Sequence, residues 1–582
     1  MPSSDSDSDA TAVAGSPTFS RRSRSSSTPS SGSSGSSLLA AVKKTASFVG
    51  WPGYVVLCWV VGWVYQVYQM GVRRVFAPSY TPLKFGQRPY GRIAIVGAGL
   101  TGVSSAAHAV DHGFEVVIFE KGEDVGGIWA HENSTSMLQL NSILYRPHPS
   151  VQWSKGFPKR DEIVGQIRGI WERYDLEKRT RFNYEVKKIQ RDPDSSTDPR
   201  ENGHARWIIN NGKEGIFDAV IAAVGTCGDP KLIQLEGQDQ FRGQILHSSE
   251  LDDAELKDKK VIVIGSGASG VESCELAVNK GAKDVVMLAR SDKWVIPRNA
   301  FFDVLLSLQP FGREMPLSFV PEWIIRKFHY GDLEDLSPTS KGLFEGTPVV
   351  NDEFLQHIRS GRIIYKRGDT KSIVPRGVKF VERGRGTKSG DAGDEGIERG
   401  DVIIIATGYR RPSLDFLPKD LFPEEKDRSY KPPSLYLQNF STEDPTVLLT
   451  NASYEGGLGT VGNWHIGIFA RVLMVFLLDK STRPKPVAMK TWVDAINWVK
   501  MQAWGEDAAG LTFFTYAEMC LWLVLFHLFN PRRLVWLPFV LFGFGVRPCK
   551  SGRFSAEAIK NTEETISSGA RKAKNVVQRA HV

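Results

Sequence analysis

Two short glycine-rich stretches, each placed between an apolar strand and a helix, constrain the fold more than any other feature of this chain. "IAIVGAGLTG" ends at Gly102, and "VIVIGSGASG" ends at Gly270. Both fit the G-x-G-x-x-G pattern, in which a sharp turn brings a helix N-terminus against a pyrophosphate. The body around them, residues 90–510, alternates strands and helices, which favours parallel sheets. The sequence therefore predicts an α/β chain with two Rossmann-like dinucleotide-binding domains.

The residues around the first turn indicate which dinucleotide it holds. Gly97 allows the turn, Gly99 lets the backbone approach a pyrophosphate, and Gly102 lets the helix pack against the strand. The next strand ends in Glu120, whose carboxylate would accept hydrogen bonds from a ribose diol and repel a 2′-phosphate. This turn is therefore predicted to bind FAD or NAD rather than NADP.

A second glycine pair narrows the choice at the first site to FAD. "GEDVGGIWA" places Gly127 and Trp129 soon after the acid. Simple NAD binding does not need glycines at this distance, whereas a flavin has an extended body that must run along the protein toward a buried ring.

The second turn repeats the geometry but ends differently. Gly265, Gly267, Ser269 and Gly270 form the turn, and the following strand ends in Arg290 where the first unit has an acid. An arginine there can pair with a 2′-phosphate, which predicts NADPH; the alternative is a solvated strand end. A chain that holds both coenzymes would be a flavin-dependent oxidoreductase that takes its electrons from a nicotinamide.

Five motifs occur in order over residues 90–480. They are "GGIW" with "LQLNSILY", then "AAVGTCGDP", then the fingerprint "FRGQILHS", which contains His247, then the second glycine unit, which continues to Trp294 and Arg298, and finally "DVIIIATGYRRP". These motifs and their order resemble those of class B flavoprotein monooxygenases, most of all the flavin-containing (dimethylaniline monooxygenase-like) branch. The resemblance makes "DVIIIATGYRRP" the family's return strand and places Thr407 and Gly408 at the cofactor.

The resemblance implies a reaction and a catalytic residue. NADPH would reduce FAD, oxygen would add to the reduced ring, and the resulting flavin hydroperoxide would transfer one oxygen atom to a nitrogen or sulfur of an apolar substrate. Asn141 matches the asparagine that the family places beside the flavin and NADP⁺. The alternative for Asn141 is a turn asparagine. The implied role of His247 is to support the loop between the domains.

Two departures from the family pattern leave the substrate class open. Leu251 stands where the fingerprint usually continues to an aromatic residue, and the segment that follows Asn141 also differs. The alternatives are therefore a Baeyer-Villiger oxygenation of a ketone, an uncoupled NADPH oxidase, and a non-catalytic membrane flavoprotein. A disulfide reductase is disfavoured, because none of the five cysteines forms a C-x-x-C pair.

Both ends of the chain carry apolar segments beside polar tails. Residues 1–45 are Ser-rich and predicted to be disordered. Residues 46–77 contain an uncharged stretch long enough for a membrane anchor helix, the alternative being a buried core helix. Residues 511–548 are expected to associate with one membrane leaflet, with Arg532 and Arg533 at headgroup level. Residues 549–582 form a polar tail.

The soluble body is divided into three segments. Residues 90–235 are the first part of the FAD domain, 236–400 the NADPH domain, and 401–510 the second part of the FAD domain. Within them, residues 384–399 are expected to be a hydrophilic loop with no role of its own.

Charge and composition bear on the partners. The net charge of +8 comes from scattered basic residues, which argues against a nucleic-acid partner and suits the rim of a membrane-facing surface. The expected partners are a small apolar amine or sulfide, O₂ and membrane lipid, with no metal, and a homo-oligomer is left open. The expected location is the endoplasmic reticulum membrane, with the catalytic body facing the cytosol.

Overall fold

The structure is a computed structural model that describes residues 59–545 except 78–79, 81, 83–88, 196–204, 309–313, 315–316, 340, 346, 427, 454–462 and 503–514. The chain divides into two units, Met1–Tyr65 and Gln66–Val582. In the first unit the described residues, 59–65, are helical. The tails predicted at 1–45 and 549–582 lie outside the described residues.

The second unit contains twelve helices and nineteen strands among its described residues. The helices are α1 (66–76), α2 (Leu100–Asp111), α3 (Ile128–His131), α4 (Arg160–Arg173), α5 (Ala268–Asn279), α6 (Ala300–Leu308), α7 (Phe319–Ile324), α8 (Phe354–Arg359), α9 (Trp464–Leu478), α10 (Pro486–Gln502), α11 (Tyr516–Leu528) and α12 (Leu537–Phe542). The strands are β1 (Arg92–Val96), β2 (Glu115–Phe119), β3 (Thr180–Arg181), β4 (Ile189–Arg191), β5 (Trp207–Ile209), β6 (Ile216–Phe217), β7 (Ala219–Ala222), β8 (Gln244–His247), β9 (Lys260–Ile264), β10 (Asp284–Ala289), β11 (Val295–Ile296), β12 (Val349–Val350), β13 (Ile363–Val374), β14 (Gly377–Glu382), β15 (Asp394–Arg399), β16 (Val402–Ile405), β17 (Glu424–Glu425), β18 (Arg428–Ser429) and β19 (Val447–Leu448). Short 3₁₀ segments and one π-helical turn, Ile325–Tyr330, connect them.

The first glycine turn belongs to a five-stranded parallel sheet in the order β19-β7-β1-β2-β3. Its central strands are almost wholly apolar, because helices or a small antiparallel sheet cover both faces. Helix α2 follows the turn and lies against α9, and a Cβ on Gly467 would come within 2.4 Å of His108 Nε2. The predicted Rossmann-like unit is confirmed here.

The second glycine turn belongs to a seven-stranded sheet in the order β15-β14-β13-β10-β9-β16-β8. Strands β8, β16, β9, β10 and β13 are parallel, and β14 and β15 continue the sheet as antiparallel strands. Strand β16 pairs with β9 and β8 of this sheet, although the predicted boundary at 400/401 assigns it to the FAD domain. The prediction that residues 384–399 are entirely loop is wrong. Their last six residues form β15, which pairs antiparallel with β14.

The C-terminal helices pack on the first domain and on each other. Helix α9 is buried over most of its length. Lys500 of α10 and Glu518 of α11 form a fully buried ion pair with Nζ and Oε2 2.7 Å apart. Arg533 is also buried, donating to the carbonyls of Thr482 and Phe526 at 2.9 Å. The prediction that Arg533 lies at headgroup level is therefore wrong, whereas Arg532 is exposed.

In the part of the chain that the structure describes, no helix combines the length and apolar character needed to cross a bilayer. The transmembrane helix predicted within 46–77 is therefore not supported. Residues 46–58 of that segment lie outside the described residues.

Candidate cofactor and active site

The first glycine turn is closed so tightly that side chains are excluded from it. Gly97 has φ +106°, and a Cβ there would lie 2.7 Å from the carbonyl oxygen of Ala223. A Cβ on Gly102 would lie 1.8 Å from the carbonyl oxygen of Gly97. The turn therefore needs glycine at both positions, as the motif predicts, and it sets the N-terminus of α2 at the carboxyl end of β1.

The second glycine pair faces the first across a narrow gap. A Cβ on Gly127, which has φ +57°, would lie 2.9 Å from Gly99 Cα. Two bare backbones thus form the walls of a cradle, and Trp129 stands half-buried on α3 just beyond it.

Glu120 lies at the end of β2 beside this cradle. Its Oε2 accepts from the backbone N–H of Ala98 at 2.6 Å, and its Oε1 accepts from that of Gly122 at 2.7 Å. These bonds fix a carboxylate where a ribose diol would need an acceptor. The donor set and the side-chain-free cradle fit the adenosine diphosphate half of FAD.

The second glycine turn has the same construction. Gly265 has φ +123°, and a Cβ there would lie 2.3 Å from the carbonyl oxygen of Ala406. A Cβ on Gly270 would lie 2.1 Å from the carbonyl oxygen of Gly265, whereas one on Gly267 would meet nothing within 4 Å. Open space therefore lies in front of the first turn of α5, which contains Ser269. This opening fits a pyrophosphate at a helix N-terminus.

Arg290 follows β10, and its side chain is exposed. Among the described residues no carboxylate forms an ion pair with its guanidinium. Its backbone carbonyl accepts from Nη2 of Arg383 at 2.7 Å. The geometry leaves the Arg290 guanidinium available to an anionic ligand while its main chain is held in place.

Arg383 is a buried residue that motif-based reasoning missed. Its Nε lies 3.0 Å from Asp369 Oδ2, and its Nη1 donates to Thr387 Oγ1 at 3.0 Å and to the carbonyl of Lys388 at 2.8 Å. The segment 384–390 thus wraps the guanidinium that holds Arg290. The expectation that the loop at 384–399 has no role of its own did not include these contacts, because no local sequence pattern indicates them.

Thr407 and Gly408 follow β16 at a crossing between the two domains. Thr407 Oγ1 donates to the carbonyl of Lys231 at 2.6 Å, and the carbonyl of Gly408 accepts from Lys231 N–H at 2.9 Å. Tyr409 Oη donates to Glu132 Oε1 at 2.5 Å. The return strand is therefore tied to the segment just beyond the first cradle. Burial raises the pKa of Glu132, and the Tyr409 bond partly offsets this.

The fingerprint segment and the residues just after it are hydrogen-bonded to the first domain. Asn133 Nδ2 donates to the carbonyl of Ser248 at 2.6 Å, and Asn133 Oδ1 accepts from the N–H of Leu251 at 2.9 Å. His247 Nδ1 lies 2.8 Å from Ser249 Oγ, within the same turn. Leu251, where the family usually has an aromatic residue, is fully buried in the core of the second domain.

Asn141 uses one end of its side chain in a turn and leaves the other end available. Its Oδ1 accepts from the N–H of Ile143 at 3.0 Å. No acceptor for its Nδ2 occurs among the described residues, so this amide nitrogen remains a donor. The turn interpretation and the catalytic interpretation of Asn141 are therefore compatible.

Asp303 of α6 holds the backbone of Asn141 and carries no sequence signal. It is fully buried, and its Oδ2 accepts from the N–H of Asn141 at 2.8 Å. Burial raises the pKa of Asp303 to about 7, and the hydrogen bond from Asn141 opposes that shift. A carboxyl group beside the predicted catalytic residue is thus sensitive to pH near neutrality.

A cavity of about 430 Å³ lies beside the turn that contains Asn141. Leu144 and Arg146 of that turn line it, and so does Val304, which follows Asp303. Most of the remaining lining is apolar: Phe76, Pro147, Pro149, Leu308, Trp464, Ile468, Met519, Leu541 and Phe542. Its volume is within the range of pockets that hold small molecules.

Comparison with known proteins agrees with the two-cradle geometry. Flavin-containing monooxygenase 5 of Homo sapiens is 26% identical over 356 residues, which are 56% of this chain and 62% of that relative. The chain thus spans less than two thirds of that relative's length. A Baeyer-Villiger monooxygenase of Pseudomonas aeruginosa is 28% identical over 215 residues, which are 36% of this chain and 39% of that relative.

Solved structures share the fold at low sequence identity. An oxidized steroid monooxygenase bound to NADP matches with a TM-score of 0.57 and 17% identity, over 76% of this chain and 98% of that one. OTEMO in complex with FAD and NADP matches with a TM-score of 0.55 and 18% identity, over 77% of this chain and 98% of that one.

The family comparison covers most of residues 90–510. The model of the flavin-binding monooxygenase-like family matches residues 90–442, which contain both glycine turns, Asn141 and the return strand. This match confirms the family resemblance that the five motifs indicate. It also confirms the predicted oxidoreductase class and the predicted flavin cofactor. The chain therefore belongs to the flavin-binding monooxygenase-like family.

Proposed function

We propose that this chain is a FAD- and NADPH-dependent monooxygenase that transfers one oxygen atom to a nitrogen or sulfur of an apolar substrate. The observation that carries the proposal is the contrast between the two cradles. Glu120, fixed by two backbone N–H groups, stands at one, and Arg290, exposed and without an acidic partner among the described residues, stands at the other. The first excludes a 2′-phosphate and the second attracts one.

Each side chain has a defined task in this proposal. FAD and NADPH, when bound, supply the electron transfer and the activation of oxygen. Glu120 accepts from the ribose diol of FAD, and Arg290 pairs with the 2′-phosphate of NADPH. Asn141 offers its Nδ2 as a hydrogen-bond donor to the reacting atoms, while its Oδ1 keeps the turn in place. A short neutral amide suits this task because it donates without ionising.

The cavity beside Asn141 supports an apolar substrate. It is lined mainly by aliphatic and aromatic side chains, and its volume is about 430 Å³. Such a lining favours molecules with little charge and keeps water away from the reacting atoms. Nitrogen or sulfur oxygenation needs no acid or base from the protein, so the proposal gives no proton-transfer task to the ionisable groups on this lining, which are His108, Arg146, Arg471 and Tyr516.

Exposed apolar side chains among the described residues also support a protein that docks on a lipid surface rather than one with a helix that crosses the bilayer. Val524 and Leu528 lie on one side of α11 and are 56% and 60% exposed, and Phe529 and Val535 follow them. Their helix also lines the cavity through Met519. Apolar side chains exposed on the outer side of a helix whose inner side lines the cavity fit a membrane as the source of substrate. The endoplasmic reticulum and the homo-oligomer stay predictions.

The reaction is tested by supplying NADPH and oxygen with an apolar sulfide, a tertiary amine or a cyclic ketone, and measuring NADPH, products and peroxide. The proposal expects a sulfoxide or an N-oxide in near-stoichiometric yield. A lactone or ester formed only from the ketone would establish the Baeyer-Villiger alternative, which the Pseudomonas aeruginosa relative brings into consideration. Peroxide equal to the NADPH consumed, with no oxygenated product, would overturn both.

Lipid docking is tested separately by flotation with phospholipid vesicles. The double variant Val524→Glu with Leu528→Glu should lose most vesicle binding. The control is Ile397→Glu, which puts one such charge on a side chain that is 60% exposed on β15 of the other domain. Equal flotation of all three proteins, or none of the unaltered protein, would contradict lipid docking through this surface.

A further inference from the structure

A histidine and two glutamates meet between helices α5 and α8, outside the cradles and the cavity. Glu275 lies in the middle of α5, Glu353 stands at the start of α8, and His357 follows it by one helical turn. The i, i+4 spacing places Glu353 and His357 on the same face of α8. One ligand atom from each of the three residues lies within 4.8 Å of the other two.

His357 is the second observation that points to a ligand. The residue is only 6% exposed, yet neither Nδ1 nor Nε2 has a hydrogen-bond partner among the described residues. Glu275 Oε1 is likewise buried without a partner. A buried imidazole normally satisfies at least one ring nitrogen, because leaving it unpaired costs about 1–3 kcal/mol.

The three ligand atoms lie within 4.8 Å of one another, which is close to the separation that ligands of one ion require. Ligands about 2.0–2.2 Å from a common ion lie roughly 3–4.4 Å apart, depending on their angle. Direct hydrogen bonds between these groups are absent from the described contacts. An ion between them would satisfy His357 and Glu275 together.

We propose that Glu275, Glu353 and His357 form a binding site for a divalent transition-metal ion of the zinc class. Two carboxylate oxygens and one imidazole nitrogen are a ligand set that Zn²⁺ accepts, whereas Mg²⁺ and Ca²⁺ favour oxygen ligands alone. Three protein ligands leave the fourth position to water. The ion joins α8 to α5, the helix that follows the second glycine turn, so its role is to stabilise the NADPH domain.

The test uses the full-length, untagged protein with its flavin, stripped with a chelator and dialysed. Titration calorimetry with ZnCl₂ alone should show one site per chain, and MgCl₂ should bind far more weakly. Glu353→Gln and His357→Ala should each weaken Zn²⁺ binding at least tenfold. The matched control, Glu255→Gln, removes an exposed carboxylate of the same domain and should change nothing.

A second measurement separates a site from an adventitious ion. Zn²⁺ should raise the thermal unfolding temperature of the unaltered protein and of Glu255→Gln, but not of Glu353→Gln. Glu353 is exposed, so its replacement is expected to fold even where His357→Ala does not. Absence of Zn²⁺ binding at millimolar concentration, or binding that Glu353→Gln leaves unchanged, would overturn the proposal.

Discussion

Arg383 donates a hydrogen bond from Nη2 to the backbone carbonyl of Arg290 at 2.7 Å, so one buried arginine holds the main chain of the arginine at the end of β10. Arg383 also lies 3.0 Å from Asp369, which balances its charge. The contact links coenzyme choice to a segment far along the chain. Arg290 thus presents its guanidinium from a fixed backbone.

Replacing Arg383 with lysine should impair NADPH use selectively. Lysine keeps the charge beside Asp369 but loses the planar fork that reaches Arg290. We expect the KM for NADPH to rise about three- to tenfold while kcat and the KM for NADH change little. Arg399→Lys, an exposed change on β15, is the control. Equal effects on both coenzymes would show that Arg383 only stabilises the sheet.

Replacing Arg290 with alanine should have a larger effect of the same kind. A lost charge-assisted contact to a phosphate costs on the order of 2 kcal/mol, so kcat/KM for NADPH should fall about thirtyfold. NADH lacks the 2′-phosphate and should be used almost as before. Steady-state rates with each coenzyme decide the matter: unchanged use of both coenzymes would assign Arg290 to the solvated strand end, and an equal loss with both would show that it does not read the 2′-phosphate.

Asn141→Asp should separate reduction from oxygenation. Aspartate keeps an acceptor for the N–H of Ile143 and removes the Nδ2 donor. We expect oxygenated product to fall about a hundredfold, as loss of one donor at a reacting centre does elsewhere, while NADPH still reduces the flavin. Single-turnover reduction and product yield are measured on the same sample. Unchanged product yield would limit Asn141 to its turn.

Asp303→Asn should remove part of the pH dependence of stability. The pKa of Asp303 is about 7 in the folded chain against an ordinary value of 3.8, because the carboxyl is buried. The folded state therefore holds the proton up to a higher pH than the unfolded state does. The stability that the protonated carboxyl contributes is lost as pH rises from about 4 through 7. Asparagine stays neutral and still accepts from Asn141, so the variant should unfold a few degrees higher at pH 8.

The control for that comparison is Glu255→Gln, an exposed carboxylate whose loss should leave the profile unchanged. Thermal unfolding of the three proteins between pH 5 and 8 provides the measurement. If the unfolding temperatures of Asp303→Asn and of the unaltered protein change in parallel between pH 5 and 8, the Asp303 carboxyl is ionised throughout this range. Its environment is then more polar than its burial indicates.

The local features of the site follow from sequence because backbone geometry dictates them. Gly97, Gly102, Gly265 and Gly270 sit where a Cβ would collide with the main chain, and no other residue type fits. A strand, a tight turn and a helix lie within about thirty residues, so the pattern is visible in one window.

The features that sequence reasoning missed depend on contacts between distant segments. Asp303 holds Asn141 from a position 162 residues away, and Arg383 reaches Arg290 across 93 residues. Neither residue belongs to a motif. Apolar stretches near both ends also resemble membrane segments in sequence, but α11 buries Trp522 and Phe526 against the protein and exposes only its other side.

The most direct measurement of the central claim is anaerobic titration of the purified protein with NADPH, followed by absorbance. We expect a yellow protein with one flavin per chain, which one equivalent of NADPH bleaches, and which NADH bleaches much more slowly. A colourless protein that cannot be loaded with FAD, or a bound flavin that NADPH leaves oxidised, would contradict it.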